Sequence, residues 1–68
     1  MTARGDRVLR LLRQVGGAST VAELAERCRE ALDAAEVRDA LLQLVELGHV
    51  TVEGNAARLL RTGWYVGG

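Results

Sequence analysis

Apolar residues recur at helical spacing in the first part of the chain. Positions separated by three and four residues form one face of an amphipathic helix, and this face consists of Val8, Leu11, Leu12 and Val15. The pattern predicts a first helix over about residues 6–15, with Asp6 as its N-terminal cap. Gly16 and Gly17 follow, and glycine readily adopts the left-handed conformation that ends a helix. Residues 1–5 show no periodicity, so we expect them to lie outside the helix.

A second helix is predicted over about residues 21–31. Thr20 and Glu23 have the spacing of a capping box, in which each side chain accepts a hydrogen bond from the other residue's backbone N–H. The expected buried face consists of Val21, Leu24, Ala25 and Cys28. Because cysteine is a small apolar residue in most cores, we interpret Cys28 as a packing residue.

The third helix has the clearest start signal in the chain. Asp33 and Glu36 form a second capping box, and Leu32 with Val37 occupies the positions of a hydrophobic staple. These two signals agree, so the helix is predicted over about residues 34–47, with Gly48 ending it.

After Gly48 the spacing of the apolar residues changes from that of a helix to that of a strand. Val50 and Val52 alternate with polar residues, which is typical of a half-buried strand, and Gly54-Asn55 is suited to a turn. Residues 57–66 are predicted to return as a second strand, which gives a wing over about residues 49–66. Ala18 and Ser19 could add a very short strand, and Trp64 and Tyr65 are expected to close the bottom of the core.

The predicted fold is therefore α+β, with three helices and a two- or three-stranded antiparallel sheet in one domain spanning residues 1–68.

The formal net charge is zero, with nine arginines against nine acidic residues, so the chain lacks the basic excess typical of nucleic-acid binders. One cysteine and one histidine cannot make a metal site, which needs three or four ligands. No catalytic motif is present, so we expect no enzyme activity and no cofactor. No apolar run is long enough to cross a membrane, and a cytoplasmic protein is predicted.

This layout resembles the winged-helix branch of the helix-turn-helix proteins. The resemblance rests on LLRQVGG, TVAELAERC and AEVRDALLQLVELGHV, followed by the hairpin. The stretch from Glu36 to Val50 looks like the third helix and first wing strand of MarR-like and ArsR-like bacterial regulators. A narrower resemblance is to the small winged-helix accessory protein of bacterial ferrous-iron transport. Its cysteine-rich wing is absent here, so the metal-binding part of that resemblance does not transfer.

The resemblance implies a transcriptional regulator that binds double-stranded DNA. In this family the third helix enters the major groove, so Arg38 is expected to read guanine and Gln43 to read adenine. The wing reaches neighbouring phosphates in many relatives, which implies backbone contacts from Asn55, Arg58 and Arg61.

A protein-interaction module is the alternative. Asp39 and Glu46 on the third helix, like the glutamates of the second, would repel phosphates. Leu42 and Val45 are expected beside Arg38 on a wet surface, where an apolar pair fits a protein contact or a homodimer better than a DNA groove. The alternative site is therefore Arg38, Leu42 and Val45. A solvated helix face carrying scattered apolar residues stays open as a third interpretation.

Overall fold

The described chain forms three helices, with a short strand between the first two and a hairpin after the third. A computed structural model describes residues 2–61, with the order α1 (Ala3–Gln14), β1 (Ala18–Thr20), α2 (Val21–Cys28), α3 (Ala34–Glu46), β2 (Val50–Glu53) and β3 (Ala56–Leu59). Both β1 and β2 pair antiparallel with β3, which lies at the centre of the sheet. The predicted α+β class is confirmed. Residues 2–61 form three helices and a three-stranded antiparallel sheet, an arrangement compatible with a small winged-helix-like fold.

The start of α1 corrects the sequence prediction. The cap is Thr2, whose hydroxyl oxygen accepts from the backbone N–H of Gly5 at 3.1 Å. Asp6 is therefore inside the first turn, where its carboxylate pairs with Arg10 at 3.0 Å. The prediction failed because the apolar pattern begins only at Val8, and because a glycine inside a helix costs about 1 kcal/mol relative to alanine and so argues against helix there. Gly5 is helical and buried.

Both α1 and α3 end in the same way, on a glycine with positive φ. Gly48 has φ +78°, its N–H donates to the Val45 carbonyl at 3.0 Å, and the His49 N–H donates to the Leu44 carbonyl at 2.9 Å. This pair of hydrogen bonds is the Schellman motif. Gly16 and Gly17 end α1 through the equivalent bonds, so both predicted helix ends are confirmed.

The capping predictions hold fully for α3 and in part for α2. At α3 the Glu36 N–H donates to Asp33 at 2.8 Å and the Asp33 N–H donates to Glu36 at 3.1 Å. At α2 the Thr20 hydroxyl oxygen accepts from the Glu23 N–H at 3.1 Å, whereas the Glu23 carboxylate accepts from the Ser19 hydroxyl.

The second helix is shorter than predicted. It ends at Cys28, whose carbonyl accepts from the N–H groups of both Ala31 and Leu32, at 2.8 and 2.7 Å. This turn redirects the chain so that Leu32 enters the core. No glycine marks the end, so a local pattern could not locate it.

The hairpin of β2 and β3 has a two-residue turn, as predicted, but its second strand is short. Glu53 pairs with Ala56 across Gly54 and Asn55, and Gly54 has φ +58°. The strand spans Ala56–Leu59, so the predicted strand over residues 57–66 is interrupted after Leu59, and residues 62–66 of that prediction lie outside the described residues. After it, the Leu60 N–H donates to the His49 carbonyl at 2.9 Å. The predicted role of Trp64 and Tyr65 lies outside the described residues.

The core lies between the helices and the inner face of the sheet. Its most deeply buried side chains come from every helix and from β2: Val8, Leu9, Leu12, Leu24, Val37, Leu44 and Val50. Leu9 was missing from the predicted face of α1, and the predicted Leu11 and Val15 are only partly buried. The buried residues Gly5, Val8, Leu9 and Leu12 keep the predicted spacing but begin three residues earlier, so the buried face of α1 is turned by about 60° from the predicted one. This face packs against α2, α3 and the sheet.

Candidate functional site

The exposed face of α3 carries a stripe of apolar residues and one arginine. Successive residues of a helix are turned by about 100°, so Arg38, Leu42 and Val45 lie within an arc of about 60°. Leu42 is 62% exposed and Val45 is 40% exposed, and Arg38 is also exposed. Within residues 2–61, Arg38 forms no ion pair. We call Arg38, Leu42 and Val45 the α3 stripe. All three residues of the predicted partner-binding set therefore share one open surface.

A small apolar depression adjoins the stripe. It has a volume of about 220 Å³ and lies where α3 meets the start of α2 and the tip of the hairpin. It is lined by Val21, Arg38, Leu41, Leu42, Val52, Gly54 and Asn55. The Val21 N–H donates to the Asn55 carbonyl at 2.7 Å, which fixes the hairpin tip against α2. The fold therefore brings Asn55 beside Arg38 and Leu42.

Gln43 occupies a different side of α3. It is turned about 140° from Arg38, toward the start of α1. Its side-chain oxygen accepts from the Thr2 hydroxyl at 2.8 Å and from the Thr2 N–H at 3.3 Å. The residue predicted to read adenine thus holds the N-terminus of α1 in place. The sequence could not show this contact, because it joins residues that are 41 positions apart.

Of the two arginines predicted to lie on a wing, Arg58 lies away from the stripe. Arg58 pairs in register with Thr51 and Ala18, and it is exposed on the outer face of the sheet because Ala57 and Leu59 point to the core. It lines a shallow depression that also contains Glu23 and Glu53. Arg61 is exposed after the end of β3.

The charge around α3 is mixed rather than basic. Asp39 and Glu46 are exposed on the flank of the stripe. Two neighbouring arginines are already paired with carboxylates, since Arg4 meets Glu36 at 3.1 Å and Arg29 meets Glu26 at 3.0 Å. The electrostatic attraction of this face for a polyanion is correspondingly weak.

Cys28 is a buried core residue, as predicted. Burial raises the pKa of its thiol, and the charge of Arg7 lowers it in part. Because the thiolate is the reactive form, Cys28 stays protonated and unreactive at neutral pH. The Nδ1 atom of His49 is buried and makes no hydrogen bond within the described part of the chain. Among residues 2–61 no group of acidic, histidine or cysteine side chains is arranged to hold a metal ion.

None of the helices in the described segment combines the length and the apolar character needed to cross a membrane.

Comparison with family models, curated proteins and solved structures finds no match to this chain. What supports a function is therefore the order of the elements and the chemistry of the exposed surfaces.

Proposed function

We propose that this chain is a small winged-helix module that binds another protein through the exposed face of α3. The winged-helix class is supported by the element order and by a sheet whose central strand is β3. The observation that carries the function is the exposure of Leu42 beside Val45 and next to an apolar depression.

A protein partner is favoured by the chemistry of the α3 stripe and of the carboxylates beside it. Leu42 and Val45 gain free energy when their apolar surface leaves water, at about 25 cal/mol per Å². Arg38 is a residue type enriched in binding hot spots. The flanking carboxylates of Asp39 and Glu46 provide a polar rim for a protein contact, whereas they would oppose a phosphate backbone.

Leu42→Glu is expected to weaken partner binding by more than about tenfold, since a charge would enter an apolar contact. The matched control is Leu47→Glu. Leu47 is 48% exposed but is turned about 140° from Leu42, so it lies off the stripe. The measurement is quantitative mass spectrometry of proteins that the wild type and both variants capture from an extract of the source cells.

The proposal requires a partner that wild type and Leu47→Glu retain and that Leu42→Glu loses. If Leu42→Glu retains every protein that the wild type captures and also self-associates as the wild type does, the α3 stripe is not a docking surface. Circular dichroism of both variants verifies that a difference in capture does not come from unfolding.

Binding to double-stranded DNA in transcriptional regulation is a second candidate. It is favoured by the exposure of Arg38 on α3 beside Asn55 at the hairpin tip, the two elements that contact DNA in winged-helix readers. On this candidate Arg38 would contact a base edge, and Arg38→Ala is expected to cost about 1–3 kcal/mol of duplex affinity. Fluorescence anisotropy with a labelled duplex at several salt concentrations measures the change. An affinity that Arg38→Ala leaves unchanged would eliminate this candidate.

A further inference from the structure

We infer that a second copy of this chain covers the α3 stripe, with α3 packed against an antiparallel α3 about a two-fold axis beside Leu42. The inference rests on the proposed function, because it names the partner of the same face. In a two-fold interface the same surface is used on both sides, so every contact occurs twice.

The spacing of the exposed residues fits the packing of one helix on another. Ala35, Arg38, Leu42 and Val45 are separated by three, four and three residues. This alternation keeps one face of a helix turned toward a second helix. All four residues are exposed, so this face is left uncovered by the elements within residues 2–61.

The charges on this face select the antiparallel arrangement. Arg38 and Glu46 each lie four residues from Leu42, on opposite sides of it. A two-fold axis at Leu42 therefore places Arg38 of each copy opposite Glu46 of the other, which gives two reciprocal ion pairs. The same axis places Leu42 against Leu42 at the centre of the contact and Val45 at its edge, opposite Asp39 of the other copy. Neither side chain is engaged in an ion pair within residues 2–61. A parallel arrangement would instead place Arg38 against Arg38, which is repulsive.

The size of the stripe limits the strength of this contact. Stable protein interfaces bury about 1,200–2,000 Å² in total. A helix of 13 residues is about 20 Å long and about 10 Å wide, so one face of α3 is too small to bury this area. The dimer is therefore weak and forms at high protein concentration.

The first experiment is a dilution series of the isotope-labelled chain, followed by amide chemical shifts and by sedimentation equilibrium. We expect concentration-dependent shifts centred on Arg38, Leu42 and Val45, together with a rise toward the mass of a dimer. Leu42→Glu abolishes both changes and Leu47→Glu leaves them. A chain that remains a monomer up to millimolar concentration overturns the inference.

A charge-reversal experiment tests the register directly. Arg38→Glu alone leaves two carboxylates facing each other at each pair, and Glu46→Arg alone leaves two guanidinium groups, so each variant self-associates at least about tenfold more weakly than wild type. An equal mixture of the two variants restores both opposite-charge pairs, and it is expected to form a heterodimer. A mixture that associates no better than either variant alone overturns the antiparallel arrangement.

These outcomes separate the inference from the proposed function. If the chain stays monomeric but captures a different protein that Leu42→Glu loses, the self-pairing is wrong and the docking function stands. If the chain self-associates through another face and no capture depends on Leu42, both are wrong.

Discussion

Replacing Leu44 by alanine is expected to lower the free energy of unfolding by about 2–5 kcal/mol, the range for deleting a fully buried leucine side chain. Leu44 has 0% exposure and comes from the middle of the core. Stabilities of about 0.05–0.15 kcal/mol per residue imply roughly 3–10 kcal/mol for a chain of this length. The substitution therefore removes a large share of the total, and urea unfolding followed by circular dichroism measures the loss.

Leu42→Ala is the matched control, because it makes the same chemical change on the same helix. Leu42 is 62% exposed, so its truncation is expected to change stability by less than about 0.5 kcal/mol. Equal losses for the two variants would contradict the orientation of α3, and with it the assignment of the exposed stripe.

Gly48→Ala is expected to lower the free energy of unfolding by about 1 kcal/mol. The backbone at Gly48 has φ +78°, a conformation that costs an L-residue roughly 1–2 kcal/mol. Alanine also lowers the conformational entropy of the unfolded chain, which offsets this cost by about 0.4–1 kcal/mol. A β-carbon at this position would meet nothing within 4 Å, so the loss comes from the backbone rather than from a clash.

The control at this position is Gly48→Asn. Asparagine tolerates the left-handed conformation better than alanine does, so its loss is expected to be smaller. Thermal unfolding measures the series, since 1 kcal/mol shifts the midpoint by about 4–8 °C in a domain of 60–100 residues. If alanine is tolerated as well as asparagine, the left-handed helix end is contradicted.

The ends of the helices show which signals are local. The start of α3 is set by Asp33 and Glu36, whose side chains accept hydrogen bonds from each other's backbone N–H within one turn. The sequence alone is therefore sufficient to locate it. The glycine that ends α3 is equally local. The start of α1 was mislocated because Thr2 and Gly5 precede the apolar pattern. The end of α2 depends on Leu32 reaching the core. This is a requirement of tertiary packing, so the spacing of nearby residues does not reveal it.

The candidate site residues likewise divide into those that local spacing predicts and those whose positions depend on long-range contacts. The α3 stripe was predictable because residues three and four apart share a helix face, and exposure follows from the position of the core. The contact of Gln43 with Thr2 joins distant parts of the chain, and the direction of Arg58 depends on the register of β3. The predicted partner-binding residues Arg38, Leu42 and Val45 therefore share one surface. Of the residues predicted to contact DNA, Gln43 and Arg58 each lie on a different surface from Arg38.

We propose that α3 presents an apolar contact surface rather than a phosphate-binding one. The amide spectrum of the isotope-labelled chain, recorded as an arbitrary DNA duplex is added at low salt, distinguishes the two, because even weak phosphate binding is detected there. We expect that the resonances of α3 do not shift selectively. Shifts concentrated on Arg38 and the rest of α3, and around Arg58 and Arg61, that weaken as salt is added would contradict it and establish DNA binding instead.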